Sequence, residues 1–74
     1  MVRVYGKPGC VQCKFTKNML EEKSIPFEDF DITTDQKARE VFETGGRNIL
    51  PFVVSDNDRW HGFSPDRISA LRAT

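Results

Sequence analysis

The chain has 74 residues and a mass of 8.5 kDa, with eleven Lys and Arg against eleven Asp and Glu, so its formal net charge is zero. That length allows one domain, residues 1–74, and the charge balance argues against both a nucleic-acid binder and an acidic tail. No apolar run approaches the roughly 20 residues of a membrane span. Met1-Val2-Arg3-Val4-Tyr5 also lacks the basic and long apolar regions of a signal peptide, so a cytoplasmic location with no membrane partner is expected.

Val2 to Tyr5 alternates and contains two Val, which predicts a short strand. Gly6-Lys7-Pro8-Gly9 is a turn cluster. Val11, Phe15, Met19 and Leu20 then fall at helical spacing and predict a buried stripe, with Lys14, Lys17, Glu21 and Glu22 facing water. Ser24 and Pro26 stop this helix, because proline disfavours a helical residue before it. Phe27 to Ile32 reads as the second strand, with Phe27 opposite in phase to Phe30 and Ile32. Thr33 and Gln36 have the spacing of a capping box, and Ala38, Val41 and Phe42 form the expected stripe of the second helix. Gly45-Gly46 ends it. Pro51 to Val54 predicts a third strand, Ser55 to Asp58 a turn, and Arg59 to His61 a fourth strand. Ser64-Pro65-Asp66 marks a last helix by N-cap, first-position proline and first-turn acid. Phe63 and Ile68 have the spacing of a hydrophobic staple across that cap.

The order is β-α-β-α-β-β-α. A strand, a crossover helix and a second strand imply a parallel unit, which a hairpin completes into a four-stranded mixed sheet with three helices on its faces, an α/β fold.

The chain has two cysteines, Cys10 and Cys13, in a C-x-x-C pair. A structural staple is a weak reading, since a ring this short constrains little of the unfolded chain. A zinc site is short of ligands, with only His61 to add. Redox chemistry is favoured by position, because the pair lies between the first strand and the first helix. Unpaired N–H groups and the helix dipole stabilise a thiolate at Cys10, while Cys13 lies further from that positive end. Cys10 is thus set to attack and Cys13 to resolve the mixed disulfide. Nucleophilicity falls as a thiol becomes more acidic, so pair geometry matters more than activation alone. Lys7 either adds positive potential above Cys10 or is a solvated loop residue.

With β-α-β, a C-x-x-C at the start of the first helix and a Pro before the third strand, the chain resembles a thioredoxin-fold redoxin. Cys10-Val11-Gln12-Cys13 matches the motif of NrdH-type redoxins, and Trp60-His61-Gly62-Phe63-Ser64-Pro65-Asp66 is similar to their W-S-G-F-R-P-D signature. The resemblance covers nearly the whole length. It implies a thiol-disulfide oxidoreductase with catalytic Cys10 and Cys13, reduced by thioredoxin reductase and donating electrons to the large subunit of class Ib ribonucleotide reductase. It implies no bound cofactor and no metal. The redox group is the Cys10–Cys13 disulfide, and NADPH acts only through the reductase. A cis peptide bond before Pro51 is also implied, with the neighbouring backbone pairing to an extended substrate. Lys7, Val11, Gln12 and the Leu50-Pro51 segment are the expected docking residues on one side. Trp60, Gly62 and Phe63 complete that face, unless Trp60 is simply a core aromatic. A monomer is expected.

Three positions depart from the family pattern: His61 where Ser is usual, Ser64 where Arg is usual, and Gly6 where Thr is common. His61 reads as an exposed strand residue. Two alternatives stand beside the main reading. A glutaredoxin-like or mycothiol-dependent reductase would use Asp66 at the helix start, although Gln12 replaces the Tyr of C-P-Y-C and Phe63 replaces a second Gly. A non-enzymatic metal-binding module is the remaining one.

Overall fold

The computed structural model describes residues 1–71, and alternation along the first strand sets its layering. Strand β1 (Val2–Gly6) is followed by helix α1 (Val11–Glu22), β2 (Phe27–Asp31), α2 (Gln36–Thr44), β3 (Phe52–Val54), β4 (Arg59–His61) and α3 (Pro65–Ala70). The sheet order is β2-β1-β3-β4, with β1 and β2 parallel and the other two pairings antiparallel. The expected mixed sheet is therefore present.

Successive strand residues point to opposite faces. Val2, Val4, Val53 and Trp60 share one cluster with Leu20 of α1 and Ile68 of α3. Tyr5 and Phe52 share the other with Ala38 and Phe42 of α2. The phase break in β2 is real: Phe27 packs against the first cluster, while Phe30 and Ile32 pack against the second. On the α2 face one ring from each strand forms a row across the whole sheet. Phe30 pairs with Tyr5, Tyr5 with Phe52, and Phe52 with His61. Their ring centroids are 5.0, 6.1 and 4.5 Å apart in that order.

The α1 stripe differs from expectation. Cys13, Thr16 and Leu20 are its buried residues, while Val11 and Phe15 are 61% and 50% exposed. Thr16 tolerates full burial because its hydroxyl donates to the Gln12 carbonyl at 2.9 Å. In α2, Ala38 and Phe42 are buried but Val41 is exposed. The α2 cap also lies two residues later than the capping box predicted. Asp35 is the N-cap and accepts from the Ala38 N–H at 3.1 Å. Thr33 instead gives both its N–H and its hydroxyl to the Asp31 carboxylate, a turn closed by an aspartate two residues back.

Ser64 caps α3, accepting from the Arg67 N–H, with Pro65 in the first turn. Of the predicted staple pair, Ile68 drops into the core, while Phe63 turns outward and meets Phe15, ring centroids 5.9 Å apart. None of the helices in residues 1–71 is long and apolar enough to cross a membrane.

Candidate active site

Gly6 ends β1, and the turn that follows closes with a bond from the Cys10 N–H to the Lys7 carbonyl. Gly9, with φ of +80°, supplies the left-handed residue this turn needs. Cys10 is then the N-cap of α1, in extended backbone geometry, and its sulfur takes the role a Ser or Asp oxygen usually fills. Cys10 Sγ accepts from the Cys13 N–H at 3.2 Å, and the Cys10 carbonyl accepts from Lys14. A sulfur in this place feels the unpaired N–H groups and the positive end of the helix.

The two sulfurs form a disulfide and differ in access: Cys10 is half-buried, whereas Cys13 is 3% exposed. Gly6 creates the space for Cys13, since a Cβ at Gly6 would lie 2.6 Å from the Cys13 sulfur. The departure at position 6 is thus matched to the inner cysteine.

Gln12 links the cysteine loop to the segment after β4. Its Oε1 accepts from the Phe63 N–H at 3.2 Å, and a Cβ on Gly62 would come within 3.4 Å of the same oxygen. Gly62 has φ of +89° and donates its N–H to the Pro51 carbonyl at 2.8 Å. The Leu50–Pro51 bond is cis, as the resemblance implies. Gln12, Gly62, Phe63 and Pro51 are therefore tied together by backbone and side-chain bonds.

The expected docking residues divide by exposure. Lys7, Val11, Gln12 and Phe63 are exposed, Leu50 is half-buried against the α2-side cluster, and Pro51 and Gly62 are buried. Trp60 does not belong to this face. It is 6% exposed within the α1–α3 cluster, because β4 pairs it with Val53 and alternation turns it inward. Arg67 covers it, the guanidinium carbon 5.9 Å from the ring centroid, and the same Arg67 grips Asp58 through both carboxylate oxygens at 2.8 and 2.7 Å.

Phe15 and Ile49 were missed from sequence. With Val11 and Phe63 they are the large apolar side chains left exposed around the cysteine loop. The signal was available: Cys13, Thr16 and Leu20 have helical spacing of their own, and taking them as the inner face turns Val11 and Phe15 outward. His61 was also misplaced. It is half-buried, stacked on Phe52 and edge-on to Phe42, with Nδ1 2.9 Å from the Ile49 carbonyl.

Residues 2–60 match the glutaredoxin family model. The glutaredoxin-like protein NrdH of Escherichia coli K12 is 33% identical over 70 residues, 95% of this chain and 86% of that one. Its namesake from Lactococcus lactis subsp. lactis is 35% identical over 72 residues, covering 96% and 99%. The solved structure of NrdH-redoxin from Escherichia coli superposes with a TM-score of 0.90 at 32% identity, over 99% of this chain and 96% of that one. A sulfur capping a helix, a buried partner three residues on, and these similarities agree, and the chain belongs to the glutaredoxin family as an NrdH-like thiol-disulfide oxidoreductase.

Proposed function

We propose that this redoxin takes electrons from a thioredoxin reductase and passes them to the large subunit of a class Ib ribonucleotide reductase. In the reduced form the Cys10 thiolate attacks one sulfur of the substrate disulfide. A Cys10–substrate disulfide forms and the other substrate sulfur leaves as a thiolate. Cys13 then attacks the Cys10 sulfur, which closes the Cys10–Cys13 disulfide and releases the second substrate thiol. Two electrons and two protons pass to the substrate, and the reductase restores both.

The observation that carries the choice of reductant is the Gln12–Phe63 bond. A tripeptide thiol would be held by free N–H groups at the start of the last helix, a natural anion site. Here the Phe63 N–H is given to Gln12 and the Arg67 N–H to the Ser64 hydroxyl. The exposed apolar side chains of Val11, Phe15, Ile49 and Phe63 suit a protein surface better than a small polar thiol. The similar redoxin from Escherichia coli is described as having a thioredoxin-like activity profile, in keeping with this reading.

The test is NADPH oxidation in two parallel mixtures, one with thioredoxin reductase and a protein disulfide, one with glutathione and glutathione reductase. Fast oxidation in the first and background in the second is expected. Comparable rates in both would move the chain to the glutathione-dependent members.

A further inference from the structure

Between α2 and β3 the chain runs without regular structure through Arg47, Asn48, Ile49 and Leu50. Outside the strands, the backbone of these residues makes one hydrogen bond among the described residues, from His61 to the Ile49 carbonyl at 2.9 Å. On the far side of Leu50, the Pro51 carbonyl accepts from Gly62. The Leu50–Pro51 segment is thus fastened at both ends to consecutive residues, His61 and Gly62.

A carbonyl only accepts, so His61 Nδ1 carries the proton in this contact. The ring is fixed in the required plane by stacking on Phe52 at 4.5 Å and 19°, and by the edge contact with Phe42. Its other nitrogen, Nε2, is buried and has no hydrogen-bond partner among the described residues, which suits a bare lone pair and not a second N–H. Gly45 makes the room. A Cβ there would lie 2.5 Å from Nε2 and 2.8 Å from Cε1. Gly45 has φ of −70°, which any residue adopts, so glycine is needed for space and not for conformation.

We propose that His61, seated against Gly45, is a positioning residue that holds the Leu50–Pro51 backbone in place for protein disulfide substrates. The inference rests on the docking role given above to that segment. His61 touches neither sulfur in this arrangement, so it acts on substrate seating and leaves the intrinsic reactivity of Cys10 unchanged.

The test uses His61→Phe, which keeps a stacking ring without the donor, His61→Asn, which keeps a donor near the Nδ1 position, and Gly45→Ala, which drives the ring off Ile49. Insulin disulfides serve as the protein substrate, with dithiothreitol as recycling reductant. His61→Phe and Gly45→Ala should raise KM about fivefold with kcat within about twofold, the scale of one lost hydrogen bond. Iodoacetamide alkylation of reduced Cys10 should be unchanged, and His61→Asn should restore most of the KM. Independently of activity, 15N relaxation should show the Leu50 amide falling from a rigid order parameter of about 0.85 to below about 0.6 in His61→Phe. Long-range 1H–15N spectra should show the proton of wild-type His61 on Nδ1. A proton on Nε2, or an unchanged Leu50 amide and KM in both His61→Phe and Gly45→Ala, would overturn the proposal. Wild-type protein inactive on insulin would sink the docking reading alone, and the tautomer and relaxation data would still decide the role of His61.

Discussion

Cys10 is half-buried and Cys13 is 3% exposed, a difference that predicts Cys10 as the attacking sulfur and Cys13 as the resolving one. A half-buried sulfur at the helix cap can meet a substrate disulfide, whereas one 3% exposed can meet only its neighbour. Cys13→Ser should therefore trap a mixed disulfide through Cys10, visible as a mass adduct that dithiothreitol releases. An adduct formed by Cys10→Ser through Cys13 would reverse the assignment. Gly6 sets the room for the second step. Gly6→Ala places a Cβ 2.6 Å from the Cys13 sulfur, and overpacking of this kind costs about 1–3 kcal/mol. Thermal unfolding should register that loss, and the mixed disulfide of the variant should resolve more slowly. The C-x-x-C pair and Pro51 were legible because their chemistry is attached to residue type. The bond from Gln12 to Phe63 was not, since 51 positions separate the partners and no local pattern marks an amide that reaches across the fold.

At the scale of elements, the seven segments were legible and their caps and faces less so. Both α1 and α2 carry more apolar residues than they bury. Periodicity finds a helix, but it does not say which of two overlapping stripes faces the sheet. The α2 cap shows the same ambiguity, because Thr33 and Asp35 are both good cap residues. Asp31 decides it by taking Thr33 into its own turn. Asp35→Ala should lower stability by about 1 kcal/mol, the usual value of an N-cap, measured by urea unfolding; no change would mean that the cap is dispensable. The Asp31 carboxyl is held below its ordinary value by the Thr33 hydroxyl and then by the Thr33 N–H. A lowered folded value means stability that is present above the unfolded value and lost as pH falls through the folded one. Thr33→Ala should move the Asp31 titration seen by carboxyl 13C shifts upward, and no movement would remove the hydroxyl as its cause.

For the whole molecule, one sheet carries two apolar clusters on opposite faces, and each has its own reporter. Trp60 lies in the cluster with α1 and α3, and Tyr5 in the cluster with α2. The strands that separate the clusters supply residues to both, so neither cluster can dissolve alone. Trp60 fluorescence and the Tyr5 near-ultraviolet signal should give coincident urea transitions, as two-state unfolding requires. Separated midpoints would show that one face comes apart first. The burial of Trp60 belongs to this scale too. Its neighbours Gly62 and Phe63 suggested a surface role, and only the pairing of β4 with β3 turns it inward.

The row of rings across the α2 face also acts as a proofreader of assembly. It draws on residues 5, 30, 52 and 61, so no short fragment contains it, and every strand must arrive before it is complete. A slip of one residue between β1 and β2 would set Tyr5 against Asp29 or Asp31 in place of Phe30, ring against carboxylate. The same slip would turn the side chains of the strand to the wrong face. Misaligned sheets therefore lose both their stacking and their layering at once, and the correct register stands apart from its nearest competitors in a chain with few residues to spare.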